Sequence, residues 1–390
     1  MTHNSKSGRI VIDVDPNLKR GLYSALALTG STLKEWFVHA AASYYEEVTQ
    51  STPFTHSGVQ QDKIFSEKAM GSQNGIRTPR KALGNYTVVS MFSGCGGMDL
   101  GFVGGFKIFG RSYAKLPFKI VWANDINSAA CSTYRCNIGK EIHCGDVWSL
   151  LGTMPPEADI LVGGFPCQDI SVNGKRAGAN GSRSGLYRAM VEAIRRIHPK
   201  VFVAENVKGL LLKYNTASLE QVLKDFRSLG YKVHYQLYCA ADYGVPQTRE
   251  RVFIVGTAGD VVPFSPPKPE RSAANWMPAK EAIGDLENAK RSEALNHVWS
   301  YANISPEQGN RRLKANRPGY TIRAECHGNI QFHYSQPRRI SMREAARFQS
   351  FPDSFIFKSK LRETERQVGN AVPPVLAWHI AKSVLNCLES

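Results

Sequence analysis

Negative charge is what this 390-residue chain is short of: 33 aspartates and glutamates face 49 lysines and arginines, a formal net charge of +16. Such a balance points to a polyanionic partner. Long apolar runs are missing too, since none approaches the roughly 18 uninterrupted residues of a membrane span, and residues 1–15 lack the apolar core of a signal peptide. A cytoplasmic protein with no membrane partner is therefore expected. The eight cysteines have no regular spacing, so reduced thiols are expected rather than a disulfide framework. Cys131, Cys136 and Cys144 lie close to His143, but no CxxC pair accompanies them; they read as core thiols, and no metal site is expected. No GxxxxGK[ST] phosphate loop is present, which argues against an ATPase.

With 42% hydrophobic residues the chain can bury a substantial core, enough for one large domain and a small one. Its basic residues are concentrated: the Gly- and Ser-rich stretch 173–196 carries Lys175, Arg176, Arg183, Arg188, Arg195 and Arg196 against the single acid Glu192. Such a loop is either a solvated surface or a flap that grips phosphates. Its place directly behind Cys167 favours the flap.

Residues 9–15 (RIVIDVD) alternate as a short strand, with Ile10, Ile12 and Val14 on one face. Asp15 then offers an N-cap with Pro16 behind it, and Leu18, Leu22, Ala25 and Leu26 recur at helical spacing as far as Gly30. Thr32 and Glu35 have capping-box spacing before a second apolar stripe of Leu33, Trp36, Phe37, Ala40 and Tyr44. One lone strand leaves an unpaired edge, which a second copy would cover. This strand–helix–helix order resembles the ribbon-helix-helix DNA-binding regulators. The resemblance implies a homodimer through residues 1–50, with Arg9, Val11 and Asp13 facing DNA; the alternative is a helical extension packed on the main domain. Residues 51–85 are polar and aperiodic and read as a linker.

From residue 86 strands and helices alternate. YTVVSMFSGCGGMDLGF is an apolar strand, a glycine-rich turn and a helix start, which suits either a nucleotide-type cofactor or a merely tight turn. The following strands discriminate, because FKIVWAND ends in Asp125 and EIHCGD in Asp146, carboxylates placed for ribose hydroxyls and an adenine amino group. An adenosine ligand without an essential phosphate fits, and S-adenosylmethionine is one. The next strand, ADILVGGFPCQDIS, delivers Cys167 at its carboxyl end, and PKVFVAENV brings Glu205 and Asn206 to the same rim. In QTRERVFIVG, Arg249 and Arg251 share one face of an extended segment beside Gln247.

In this order FSGCGGMDLGF, ND at 124–125, GD at 145–146, GGFPCQDIS, SGLY at 184–187, ENV at 205–207, QTRERVFIVG, RRISMREAARFQSFPDSF and QVGNAVPPVLAWHIA resemble the cytosine-5 DNA methyltransferases of prokaryotic modification systems, over roughly residues 86–256 and 336–383. The resemblance implies an α/β fold: a doubly wound, mostly parallel sheet of the class I S-adenosylmethionine-dependent methyltransferase, Rossmann-like kind. Residues 86–256 and 338–390 would form the catalytic domain and 257–337 a smaller target recognition domain. It also implies transfer of a methyl group from S-adenosylmethionine, leaving S-adenosylhomocysteine, to C5 of a flipped-out cytosine in a short sequence of double-stranded DNA.

By that resemblance the Cys167 thiolate adds to cytosine C6, Glu205 holds N3 and the exocyclic amine, Arg249 holds O2 and Arg251 braces the site. Cofactor contacts would come from Phe92, Gly94, Cys95, Gly96, Gly97, Asp125, Ile126, Asp146, Val147, Pro166, Leu186, Asn370 and Ala371. DNA contacts would come from Lys175, Arg176, Arg183, Gln247, Arg311, Arg312 and Arg323. The position of Asp125 is more often glutamate in the family, and residues 105–117 lengthen the path to it. The variable region also holds Trp276, Trp299, Arg317, Tyr320, His327 and His333, to none of which a base is assigned. A restriction endonuclease acting on the same site is an expected partner, and autorepression an expected role of the N-terminal unit. A tRNA cytosine-5 methyltransferase, or a repressor on an inactive methyltransferase scaffold, are the alternatives.

Overall fold

The computed structural model describes residues 3–4, 10–11, 85–166, 185–301, 311–324 and 331–389. The chain forms two units, Met1–Thr78 and Pro79–Ser390. In the first, strand β1 (His3–Asn4) pairs antiparallel with β2 (Ile10–Val11), Asn4 opposite Ile10. The strand expected over 9–15 is thus not alone in its own chain. The helices expected over 16–44 lie outside the described residues, as do Arg9 and Asp13.

The second unit opens with β3 (Tyr86–Met91), α1 (Gly97–Val103), the hairpin β4 (Phe106–Ile108) and β5 (Arg111–Tyr113), then β6 (Phe118–Asp125), α2 (Ser128–Asn137), β7 (Ile142–Cys144) and α3 (Val147–Leu150). It continues with β8 (Ile160–Gly164), α4 (Leu186–Ile197), β9 (Val201–Val207), α5 (Thr216–Ser228), β10 (Lys232–Cys239) and β11 (Glu250–Thr257). Beyond lie α6 (Ala279–Ile283), α7 (Met342–Phe348), α8 (Leu361–Asn370) and α9 (Pro374–Glu389). Among the described residues no helix is long and apolar enough to cross a membrane.

Seven strands make one sheet in the order β10-β11-β9-β8-β3-β6-β7, parallel except for β11, which runs antiparallel to both neighbours. Strand parity sorts the side chains. Val88, Ile160, Val162, Val201 and Val203 face one layer, which α9 covers with Val375, Leu376, Ile380 and Val384. Val89, Met91, Leu161, Phe202 and Ala204 face the other, covered by Met190 and Ile194 of α4 and Leu219, Val222 and Phe226 of α5. Burial on both faces explains why these strands read as near-continuous apolar runs. The layer of α9 is closed by a segment distant in sequence, and α1 crosses it so tightly that a Cβ on Gly101 would lie 2.4 Å from Ala377 Cβ.

A third core joins Met277, Ala279, Ile283, Leu313 and Ile322 of the variable region to Ala345, Phe348, Phe351, Phe355 and Val368. This core, the centre of a small lobe, draws on residues from both sides of the boundary expected at 337/338. Its seam is the N-terminus of α7, where Ser341 and Glu344 close a capping box. Glu344 is fully buried and receives both terminal nitrogens of Arg338 at 2.7 Å.

Candidate active site

The strand order reverses between β3 and β8, and in such sheets ligands gather outside the carboxyl ends of the strands at that switch point. The loop after β3 begins with Phe92 at φ 55, a left-handed conformation that a bulky residue adopts only under constraint. It continues through Gly94, also left-handed, whose N–H donates to Asp125 Oδ2 at 2.8 Å. The other oxygen of Asp125 accepts from Asn127 N at 2.8 Å. Two backbone donors thus fix this carboxylate at the end of β6, while burial pushes its pKa up against them. Beneath the loop lies a buried carboxylate that the sequence motifs did not single out. Asp99 accepts from Ser90 Oγ at 2.7 Å and from Tyr134 Oη at 2.6 Å, and burial lifts its pKa to about 6.

These residues fit an adenosine-bearing cofactor. A Cβ on Gly94 would meet nothing within 4 Å, so the loop borders open space there. Ile126, directly after Asp125, is 74% exposed, an uncovered apolar side chain suited to a flat heterocycle. Asp146 is exposed and caps α3 by accepting from Trp148 N and Ser149 N. Trp148, beside Gly185, is 43% exposed and was missed in the sequence; an aromatic two residues after Asp146 was the signal. Phe92, Leu186 and Ala371 are half-buried, and Pro166 and Asn370 are exposed.

Other expected cofactor positions turn their side chains into the protein. The Cys95 side chain belongs to the third core, and Val147 is buried in the sheet core. A Cβ on Gly96 would strike Ile138 at 2.7 Å and one on Gly97 the Val372 carbonyl at 2.4 Å, so both glycines serve close packing. Cys131 is buried as expected, but Cys136 and Cys144 are exposed.

Glu205 stands in β9 opposite Gly164 of β8, and a Cβ on Gly164 would sit 2.9 Å from Glu205 Oε2. Next to it, Asn206 Nδ2 donates to the Phe165 carbonyl at 2.9 Å, locking the end of β8 to β9. Pro166 is the last described residue before Cys167, which lies outside the described residues together with Lys175, Arg176 and Arg183. Arg251 Nε meets Glu205 Oε1 at 2.8 Å, with each side chain 10% exposed. Burial raises the Glu205 pKa and lowers that of Arg251, while their mutual attraction opposes both shifts.

Arg249 is fully buried and its two terminal nitrogens serve the backbone, one donating to Ile322 O at 2.8 Å, the other to Gly369 O at 2.7 Å and Ala371 O at 2.9 Å, while its Nε has no partner among the described residues. It pins β11 to the small lobe and to the segment leading into α9. Gln247, expected at DNA, is also fully buried: Nε2 donates to Phe348 O and Gln349 Oε1, and Oε1 accepts from Ile322 N at 2.8 Å. Its amide protons are engaged within the protein and its side chain is closed to solvent. Arg312 is half-buried and donates to His333 O and Gln336 O, Arg311 is half-buried, and Arg323 is exposed.

A strand order of this kind, a glycine loop and a carboxylate at the switch point define a class I S-adenosylmethionine-dependent methyltransferase fold. The same fold is found in the S. pombe Dnmt2 methyltransferase (TM-score 0.60, 19% identity, 78% of this chain and 100% of that one) and in the Entamoeba histolytica methyltransferase EhMeth (TM-score 0.60, 14% identity, 78% and 99%). The family model for C-5 cytosine-specific DNA methylase matches residues 86–312 and 289–386, and the chain belongs to that family. The type II methyltransferase M.NgoFVII of Neisseria gonorrhoeae is 38% identical over 332 residues, 76% of this chain and 86% of the relative. M.BbvI of Brevibacillus brevis is 34% identical over 335 residues, 76% and 89%. The protein is a DNA cytosine-5 methyltransferase, and S-adenosylmethionine is the methyl donor that its family and fold imply.

Proposed function

We propose that Cys167, Glu205 and Arg251 carry out the methylation of a flipped-out cytosine within one short duplex sequence. The observation that supports this most directly is the Glu205–Arg251 pair, a buried carboxyl and guanidinium side by side on β9 and β11, with Glu205 level with Gly164 at the end of β8. The Cys167 thiolate adds to C6, and the Glu205 carboxyl, whose proton burial helps retain, hydrogen-bonds N3 as negative charge develops on the ring. Addition at C6 makes C5 nucleophilic. Bound S-adenosylmethionine supplies the electrophilic methyl for C5, and Asp125, Ile126 and Asp146 would hold its adenosine portion. Loss of the C5 proton then expels the thiolate and restores the aromatic ring.

The expected roles of the two arginines are exchanged in this reading. Arg251 lies against Glu205 and is the one that reaches the base, holding O2, whereas Arg249 braces the strand from behind through its three carbonyls. A cognate restriction endonuclease, a homodimer through the N-terminal unit and operator binding by Arg9, Val11 and Asp13 belong to the same proposal. The basic residues Lys175, Arg176, Arg183, Arg311 and Arg323 would contact DNA.

The test is duplex DNA synthesised with 5-fluorocytosine, whose C5 fluorine cannot leave as a proton. With S-adenosylmethionine the wild type should form a denaturant-stable protein–DNA complex, with the adduct on the peptide containing Cys167. A complex formed equally well by Cys167→Ser would overturn the assignment.

A further inference from the structure

The strand that carries Glu205 does not stop at the rim. After Val207 the chain makes two consecutive 3-10 turns, Lys208–Leu211 and Lys213–Asn215, before α5 begins at Thr216. Leu210, 1% exposed, anchors this tip in the sheet core. Hydrogen bonds fix its shape: Asn215 Nδ2 to Gly209 O at 2.8 Å, Asn215 N to Leu212 O at 2.7 Å, and Thr216 Oγ1 to Lys213 O at 2.9 Å. What the fixed tip presents outward is Leu212, 41% exposed, and Tyr214, 72% exposed. Two large apolar side chains in three residues, held out by a rigid turn, are not needed by the fold.

The tip's own chain is basic. Lys208 precedes the apolar pair, Lys213 lies between its two members, and residues 208–219 contain no acid. Lys208 is engaged by Glu250, to whose oxygens its ammonium donates at 3.0 and 2.9 Å, and this links the tip to the start of β11 beside Arg249 and Arg251. Lys213 is exposed and pairs with no carboxylate among the described residues. The tip is therefore rigid, apolar at its end, basic at its sides, and continuous with the strand end that brings Glu205 to the cytosine.

We propose that the tip 208–215 is a DNA-positioning element of the methyltransferase lobe, in which Tyr214 and Leu212 pack on sugars and base edges of the duplex beside the target cytosine and Lys213 contacts a phosphate. It rests on the DNA-methylating reading of the same site. Double-stranded DNA is the occupant because the apolar pair continues the catalytic rim and the tip's charge left unpaired among the described residues, on Lys213, is positive. A preformed platform also loses little conformational freedom on binding.

The experiment uses the full chain, a fluorescent mixed-sequence duplex for affinity, and plasmid DNA for steady-state methylation. Tyr214→Ala should raise the Kd for the duplex on the order of ten-fold, as loss of an aromatic platform does. The effect should fall on the KM for DNA more than on kcat, leave the KM for S-adenosylmethionine alone, and be largely restored by Tyr214→Phe. Lys213→Ala should reduce the slope of log K against log salt by about 0.9, the equivalent of one phosphate. Unchanged melting temperatures would set aside misfolding, as expected for exposed side chains. A wild-type Kd and KM in Tyr214→Ala together with an unchanged salt slope in Lys213→Ala would overturn the proposal. A wild type that leaves DNA unmethylated would instead overturn the reading on which it rests.

Discussion

Exchanging Arg249 for lysine keeps the positive charge and removes the fork. The guanidinium spans carbonyls on two separate segments, Ile322 from one terminal nitrogen and Gly369 with Ala371 from the other. A lysine ammonium is a single point and reaches only one of those places, so one or two charged hydrogen bonds are lost at about 1.5–3 kcal/mol each. The desolvation cost of the buried charge stays, because position 249 is fully closed to water. The net loss of about 2–5 kcal/mol corresponds to a fall in melting temperature of roughly 3–8 °C for a unit of this size. Arg251→Lys should behave in the opposite way. It disturbs the 2.8 Å contact to Glu205 at a site with some solvent access, so kcat falls by about a hundred-fold or more while melting changes less. Near-ultraviolet circular dichroism melts and single-turnover methylation of plasmid DNA measure both effects. If Arg249→Lys melts like the wild type and loses turnover, while Arg251→Lys loses stability instead, the division of roles between the two arginines is refuted.

Glu205→Gln keeps the shape of the side chain but cannot return a proton to N3, and methylation should slow by about 10²–10⁴-fold, with cofactor affinity by calorimetry unchanged; a rate within two-fold of the wild type, as an order-of-magnitude threshold, would remove the acid role. Asp99 predicts a pH dependence of stability. Its pKa rises from 3.8 to about 6 on folding, so its contribution is fully present below the unfolded value and is lost as pH rises through the folded one. Above that window the fully buried carboxylate costs about 3 kcal/mol. Asp99→Asn should flatten the decline in urea stability between pH 4 and 6, and an unaltered decline would show that Asp99 does not titrate in this way.

Much of the scaffold was legible because its signals are local. Strand β6 spans Phe118–Asp125, the stretch FKIVWAND, and its closing carboxylate lies where a ribose-binding acid would. The glycine loop, Glu205 and Asn206 likewise fall at strand ends that apolar runs and turn residues mark out. The surroundings of Gln247 and Arg249 were not legible for the opposite reason. Alternation in QTRER put Arg249 and Arg251 on one face beside Gln247, but the groups that cover Gln247 and Arg249, at Ile322, Phe348, Gly369 and Ala371, are far away in sequence. Nothing local distinguishes an arginine that serves carbonyls from one that faces a base. The third core could not be read locally, since Ala345, Phe348 and Val368 find partners such as Met277 and Leu313 far away in sequence. The insertion at 105–117 forms the β4–β5 hairpin, whose Phe106 and Tyr113 join the sheet core.

The proposed role of Cys167 is to drive methylation of cytosine C5 in one short duplex sequence. It is tested most directly by mapping 5-methylcytosine across the genome of a host that makes none of its own, expressing either the wild type or Cys167→Ser. One short motif should be methylated throughout with the wild type, and no methylation should appear with the variant. Methylation that persists in Cys167→Ser, or a folded wild type that leaves the DNA unmodified, would contradict it.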